Sequence, residues 1–251
     1  MVGPSRAKPR KGNSVTPRVP TGDCPPLASQ LKHTPLWCAL AEDERQQLLV
    51  GASLVAAGKG EVLIAEHTHA DALFVVIEGA LRQTRINARG HRIIAGFLFR
   101  GDMVGACIAD CYPFSVEALQ DAVLCRFDRR LIQRMNRDNQ GLEWRMITAA
   151  SNEFLQCQIH LDIVMGGSVE AKLARFLLHI GGRIGTPSDE GTHIQLPMSR
   201  EDIAHYLGHS LETISRAFTK LREHGAITTP HRTQLVIADD SRLAEIAETD
   251  G

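Results

Sequence analysis

The chain has 251 residues, and 28 Lys and Arg against 29 Asp and Glu give a net charge of −1. With 43% apolar and 23% charged residues, it has the composition of one or two folded domains, which excludes a wholly disordered chain, a collagen and a disulfide scaffold. Nucleic-acid binding by bulk positive charge is excluded too, so any such binding must use a local surface.

Residues 1–26 carry Arg6, Lys8, Arg10, Lys11 and Arg18 against one anion, Asp23, and are rich in proline. Such a segment buries too little apolar surface to offset its ordering entropy, and reads as a disordered basic tail. It has no apolar core of the kind a secretory signal needs. No run in the chain approaches the ~18 apolar residues of a membrane span, so no membrane partner is expected. Six cysteines are too few for a stapled secreted domain. A cytoplasmic location with reduced thiols is expected.

Leu36, Leu40, Leu48 and Leu49 give a helical pattern over 35–50. From there to about 130, short apolar runs alternate with glycine-containing turns: Val62–Ala65, Leu73–Ile77, Ile93–Phe99 and Val123–Phe127. This punctuation predicts a β-sandwich or jelly-roll barrel over 27–130. Residues 129–165 lose this glycine punctuation, and a long helix is predicted over 131–165. Ile147, Ala150, Phe154, Cys157, Leu161 and Val164 are spaced 3-4-3-4-3, the period of a coiled-coil seam. The opposite face is polar. A helix packed on its own barrel would need a wider apolar face, so the narrow stripe is read as the dimer seam of a homodimer, with Cys157 as a small apolar filler. Gly166-Gly167 breaks that helix, and Ser168 is placed to cap the next.

Helical patterns then cover Val169–Ile180, Arg200–Leu207 and Leu211–His224. Two short β-like runs, Ala226–Thr229 and Gln234–Ile237, flank a Pro230-His231-Arg232 turn. Helices followed by a small hairpin predict a winged helix-turn-helix over 166–251. Within it, Ser199 is placed to cap the first helix, with Asp202 three residues on. Ala204 is small, as close helix contact demands. Gly208 suits a turn needing positive φ, Ile214 supplies the apolar anchor of the second helix, and Ser210 is placed to cap it.

The exposed first turns of that second helix offer Leu211, Glu212, Ser215 and Arg216. Residues 212, 215 and 216 share a face. An arginine there can bond guanine O6 and N7, a glutamate can accept from cytosine N4, and a leucine can touch a thymine methyl. A plain Glu212–Arg216 surface ion pair is compatible with that role. Ser199, Arg200, Thr213 and Lys220 complete the candidate set of DNA-contacting residues. Residues 196–232 carry five cations and four anions. Phosphate contacts should therefore be few and the salt dependence moderate.

Barrel, long helix and winged helix-turn-helix, in that order over about 35–245, resemble the CRP/FNR bacterial transcription regulators. Leu211-Glu212-Thr213-Ile214-Ser215-Arg216 looks like the Glu-x-x-Ser-Arg signature of the FNR branch. Pro197-Met198-Ser199-Arg200 and Ala217-Phe218-Thr219-Lys220-Leu221 look like its FixK group. The resemblance implies an α+β fold with a cyclic-nucleotide-binding-type jelly-roll barrel. It also implies a homodimer on a palindrome of TTGAT-like half-sites in double-stranded DNA, with RNA polymerase as partner and a role as activator in microaerobic or anaerobic regulation.

The matching ligand motifs are absent. Where nucleotide-binding members carry Gly-Glu and an Arg-Ser/Thr pair, this chain has Gly105-Ala106-Cys107 and Tyr112-Pro113-Phe114-Ser115. No cation is there to hold a phosphate, and no cyclic nucleotide is expected. An FNR-type iron–sulfur cluster needs three clustered N-terminal cysteines and a fourth in the barrel. Here Cys24 and Cys38 are thirteen residues apart, and Cys125, which resembles the fourth, also fits a strand core beside Val123 and Phe127. Cys107 and Cys111 form a C-x3-C pair in a loop. No cofactor and no cluster are expected, and control would fall to expression or thiol oxidation. Two rival readings are a cluster-bearing FNR-type oxygen sensor and a cupin-like metal enzyme. The second rests on His67-Thr68-His69 and Glu78, whose acid stands too far from the second histidine. No catalytic arrangement and no metal set stand out, and the chain is not expected to be an enzyme.

Overall fold

The computed structural model describes residues 26–87, 90, 92–105, 110–138, 151, 154–231 and 233–249. The predicted basic tail lies outside them, apart from Pro26. Three short helices come first among the described residues: α1 (Leu27–Leu31), α2 (Pro35–Ala39) and α3 (Glu42–Val50). Thr34 starts α2 by accepting the Trp37 N–H at 3.3 Å while donating to the Leu31 carbonyl at 2.8 Å.

Eight strands follow: β1 (Ala52–Ala57), β2 (Val62–Ile64), β3 (Ala72–Glu78), β4 (Leu81–Ile86), β5 (Arg92–Leu98), β6 (Met103–Val104), β7 (Ser115–Ala118) and β8 (Ala122–Asp128). They form two sheets, ordered β1-β8-β3-β6 and β2-β7-β4-β5. The first is antiparallel, with Cys125 opposite both Leu54 and Val75. One layer of its side chains, Leu73, Val75, Ile77, Cys125 and Phe127, packs on Leu31, Leu36, Trp37 and Leu48 of the opening helices. Ile132 and Met135 of α4 (Arg129–Asp138) close the same core. Cys125 is fully buried, as the sequence predicts, and burial pushes its thiol up to about 12. Gly79 makes the β3–β4 turn at φ 92°, where a Cβ would stand 2.6 Å from the Asp121 carbonyl oxygen.

The chain divides into two compact units, residues 1–85 with 100–150 and residues 86–99 with 151–251. The second unit contains α5 (154–164), α6 (Val169–Ile184), β9 (Thr186–Ser188), β10 (Gly191–Gln195), α7 (Arg200–Leu207), α8 (Leu211–Glu223), β11 (Ile227–His231), β12 (Gln234–Ile237) and α9 (Asp240–Glu248). Ser168 caps α6 by accepting the Ala171 N–H at 3.2 Å, as the sequence predicts. The predicted wing, β11 and β12, belongs to a larger sheet ordered β11-β12-β10-β9.

Two devices organise this unit. Four rings from four elements meet: Phe97 of β5, His160 of α5, Phe176 of α6 and Tyr206 of α7. Tyr206 lies 3.9 Å from the His160 ring and within 5.3 Å of both phenylalanine centroids. The Arg175 guanidinium of α6 fastens two helix ends. Its Nε donates to the Ala247 carbonyl of α9 at 2.8 Å, and its Nη1 donates to the carbonyl of Asp162 in the last turn of α5 and to those of Met165 and Gly166 just after it.

The structure departs from the sequence expectations in several places. The helix predicted over 131–165 is helical at Arg129–Asp138 and again at 154–164; residues 139–150 lie outside the described ones, and with them Ile147 and Ala150 of the seam. Phe154 and Leu161 are 66% and 57% exposed and Cys157 is exposed, while Val164 is half-buried. Cys157 thus fills no gap within its own chain, because α5 turns Ile163 inward instead. His67 and His69 do not share a strand. His67 occupies a turn at φ 65°, and His69 makes an isolated bridge to Cys111. Among the described residues no group of three or more His, Cys, Asp or Glu could hold a metal ion. No described helix is long and apolar enough to cross a membrane.

His179 of α6 gives the unit a pH dependence. Burial first, and the nearby Arg183 charge second, push its imidazole down to about 4. The unfolded chain takes up that proton near 6.5, so stability is complete above about pH 6.5 and falls as pH drops toward 4. His179→Asn should remove that part of the acid loss. Melting curves of both proteins from pH 7 to pH 4 check it, and parallel curves would refute the assignment.

Candidate nucleic-acid interface

The helix-turn-helix is built by three local devices. A reciprocal cap starts α7: Ser199 Oγ accepts the Asp202 N–H at 3.1 Å, and the Asp202 carboxylate accepts the Ser199 N–H at 3.0 Å. The Ser199 hydroxyl also donates to that carboxylate at 2.8 Å, which satisfies a nearly buried acid. Gly208 ends α7 in the left-handed region, φ 72° and ψ 30°. A Cβ there would meet nothing, so the dihedral angle and not space is what selects glycine. Ser210 then starts α8 by accepting the Thr213 N–H at 3.1 Å.

The rotation of α8 about its axis follows from its inner face. Ile214, Ala217, Phe218 and Leu221 are buried, at the i, i+3, i+4, i+7 spacing of one helical stripe. That turns Leu211, Glu212 and Arg216 out to solvent, with Ser215 half-exposed beside them. Arg216 donates through Nη2 to Glu212 Oε1, and both side chains are about three-quarters exposed, at 73% and 74%. Four of the eight residues predicted to meet DNA therefore share one accessible surface.

The other four have structural employment. Ser199 is the cap of α7. The Thr213 hydroxyl lies 2.8 Å from that of Ser210. Arg200 stacks its guanidinium 3.9 Å from the Phe218 ring centroid, holding the start of α7 to α8. Lys220 Nζ lies 2.5 Å from Glu170 Oε1 of α6. The bond to Lys220 is the main reason the Glu170 carboxyl is held below its usual range. Sequence reasoning put Lys220 among the DNA-contacting residues without seeing this partner, which stands fifty residues earlier. It counted Arg222 among the cations of 196–232 but gave it no role; the guanidinium donates to the Thr219 hydroxyl at 2.9 Å and reaches the Thr229 hydroxyl of β11 at 3.5 Å. Its position in the last turn of α8, where a cation suits the helix dipole, was the available signal.

Comparison with known proteins agrees with this arrangement. Residues 171–246 match the Crp-like helix-turn-helix domain, and residues 54–139 match the cyclic nucleotide-binding domain. The nitrogen fixation regulation protein FixK of Bradyrhizobium diazoefficiens is 32% identical over 188 residues, covering 75% of this chain and 79% of that protein. The transcriptional activatory protein AadR of Rhodopseudomonas palustris is 32% identical over 170 residues, covering 68% and 71%. The solved structure of FixK2 from Bradyrhizobium japonicum shares the fold, with a TM-score of 0.73 and 24% identity over 80% of this chain and 99% of that one. A barrel-type domain, a capped helix-turn-helix with an outward Glu–Arg pair, and relatives that are regulators and not enzymes lead to one conclusion: the chain belongs to the CRP/FNR family of transcription regulators, close to its FixK proteins.

Proposed function

We propose that this regulator binds double-stranded DNA as a homodimer, reads TTGAT-like half-sites of a palindrome through α8, and activates transcription by recruiting RNA polymerase. The single observation that carries the reading is the shared outer face of Leu211, Glu212, Ser215 and Arg216, fixed by the fully buried opposite face. The Glu212–Arg216 pair pre-aligns a guanidinium fork and leaves a carboxylate oxygen free to accept, which is the chemistry of major-groove readout. Two-fold symmetry would set two such helices about one DNA turn apart.

Homodimerisation rests on the uncovered stripe of Phe154, Cys157, Leu161 and Met165 at the end of α5. A large apolar residue left two-thirds exposed on a helix is most simply covered by a second copy with the same period.

The protein works without cyclic nucleotide in this reading. The hydroxyl of Tyr112 donates to the Ala72 carbonyl at 2.8 Å and accepts its N–H at 3.1 Å, while Ser115 Oγ accepts the Glu66 N–H at 2.9 Å. The polar groups of that segment serve the barrel itself, and residues 110–115 offer no cation for a phosphate. The same holds for a cluster. A cluster of this kind needs three closely spaced N-terminal cysteines, and the chain offers only Cys24 and Cys38 there, thirteen residues apart.

Footprinting of the purified protein in air, with no added effector, tests the whole reading; protection of a palindrome supports it, and dependence on a nucleotide or on anaerobic iron overturns the effector-free part. Arg216→Ala should cost roughly 1–3 kcal/mol of discrimination between the native half-site and one with its contacted base changed. Equal weakening on both DNAs in a gel-shift titration would make Arg216 a phosphate contact instead. Phe154→Glu should convert dimers to monomers by placing a charge in the seam. A dimer that survives this change in sedimentation velocity would move the seam elsewhere.

A further inference from the structure

The His160 imidazole is tied to two separate parts of the second unit. Its Nδ1 lies 3.1 Å from the Ala95 carbonyl oxygen of β5, and its Nε2 lies 3.0 Å from the Tyr206 carbonyl oxygen in the last turn of α7. The ring also stacks on Tyr206, with centroids 3.9 Å apart and planes 12° from parallel. The last four carbonyls of a helix have no intrahelical N–H to accept from, so the Tyr206 carbonyl is a natural place for an outside donor. Carbonyls only accept, so a ring carrying one proton satisfies one of the two at a time, and a ring carrying both satisfies both. The next outward carbonyl of β5, that of Phe97, accepts from Arg183 of α6 at 3.4 Å. Edge strand β5 thus presents two alternate carbonyls to side chains of α5 and α6, and one of those side chains continues to the end of α7.

We propose that His160 is a positioning residue for DNA recognition: it clasps β5 to the C-terminal turn of α7 and so fixes the turn from which the reading helix α8 departs. Tyr206 is two residues before Gly208, and the Gly208-His209-Ser210 turn leads directly into α8. A shift of the last turn of α7 therefore re-aims Leu211, Glu212, Ser215 and Arg216 without any change in those residues. Phe97, Phe176 and Tyr206 supply burial around the clasp but no direction, because stacked rings slide at low cost. Ring N–H donation to the two carbonyls, one at a time when the ring carries one proton, supplies the direction. This role rests on the DNA-binding reading above.

The test compares the full-length native protein with His160→Phe and His160→Gln on two duplexes of equal length, one with an inverted repeat of TTGAT half-sites and one scrambled. His160→Phe keeps the ring and the stack and removes both hydrogen bonds; its preference for the repeat should fall roughly tenfold, on the scale of one or two hydrogen bonds. Circular dichroism at the assay temperature should show it folded, and its affinity for the scrambled duplex should hold. His160→Gln keeps one donor and should recover part of the preference. A Phe variant that discriminates as well as the native protein overturns the proposal. So does a Gln variant no better than Phe, or an equal loss on both duplexes accompanied by unfolding. A native protein with no preference for the repeat overturns the DNA reading itself, and this role with it; that result is distinct because it is seen before any substitution is made.

Discussion

Everything on the outer face of the helix-turn-helix depends on which way α8 is rolled about its own axis. A helix advances 100° per residue, so sealing Ile214, Ala217, Phe218 and Leu221 against the unit leaves one choice for the outward set. Burying four such side chains contributes several kcal/mol, on the order of 1.5–3 for each large one, whereas exposed polar residues contribute little. The apolar stripe therefore decides the geometry, and the charged residues inherit it. Caps at Ser199 and Ser210 and the left-handed Gly208 then fix where each helix starts and stops, so the outward set is held in depth as well as in rotation.

Ion pairs have a different part in this molecule. Glu212 and Arg216 are both well exposed, and a pair of that kind at i, i+4 is worth only about 0.3–0.5 kcal/mol. It does not hold the fold together and is available to exchange its partner. Lys220–Glu170 and Arg82–Glu117 are more enclosed. The second bridges directly opposite residues of β4 and β7, with an Nη2 to Oε1 distance of 2.5 Å, and acts as a cross-strand staple. The same charge chemistry thus serves as a loose contact on the outer face of α8 and as a fastening within each unit.

The helix-turn-helix was the most legible part of the sequence because its signals are local: a cap, an acid three residues on, a small residue, a glycine and another cap lie within twelve positions. The jelly-roll was legible where a strand is a mostly apolar run between turn residues, as in β2, β3, β5 and β8. Strand β4, Leu-Arg-Gln-Thr-Arg-Ile, lacks a continuous apolar run, the short run of β1 follows a helix with no turn signal but Gly51, and β9 and β10 are held as strands by pairing with neighbours. Helix α9 carries its own cap, Asp239 accepting the Arg242 N–H at 2.9 Å, yet has only two buried residues and no long stripe. His160 gave no signal at all. Its partners stand 65 and 46 residues away, and nothing in the surrounding sequence distinguishes a histidine that joins elements from one that merely decorates a helix.

Arg175 gives the carboxyl end of the chain a mechanical part. One guanidinium accepts no bonds and donates to both Ala247 near the last residues and the three carbonyls that close α5. The end of α9 is thereby a keystone: a proteolytic nick beside Ala247 would be felt at the Gly166-Gly167 joint, far along the sequence.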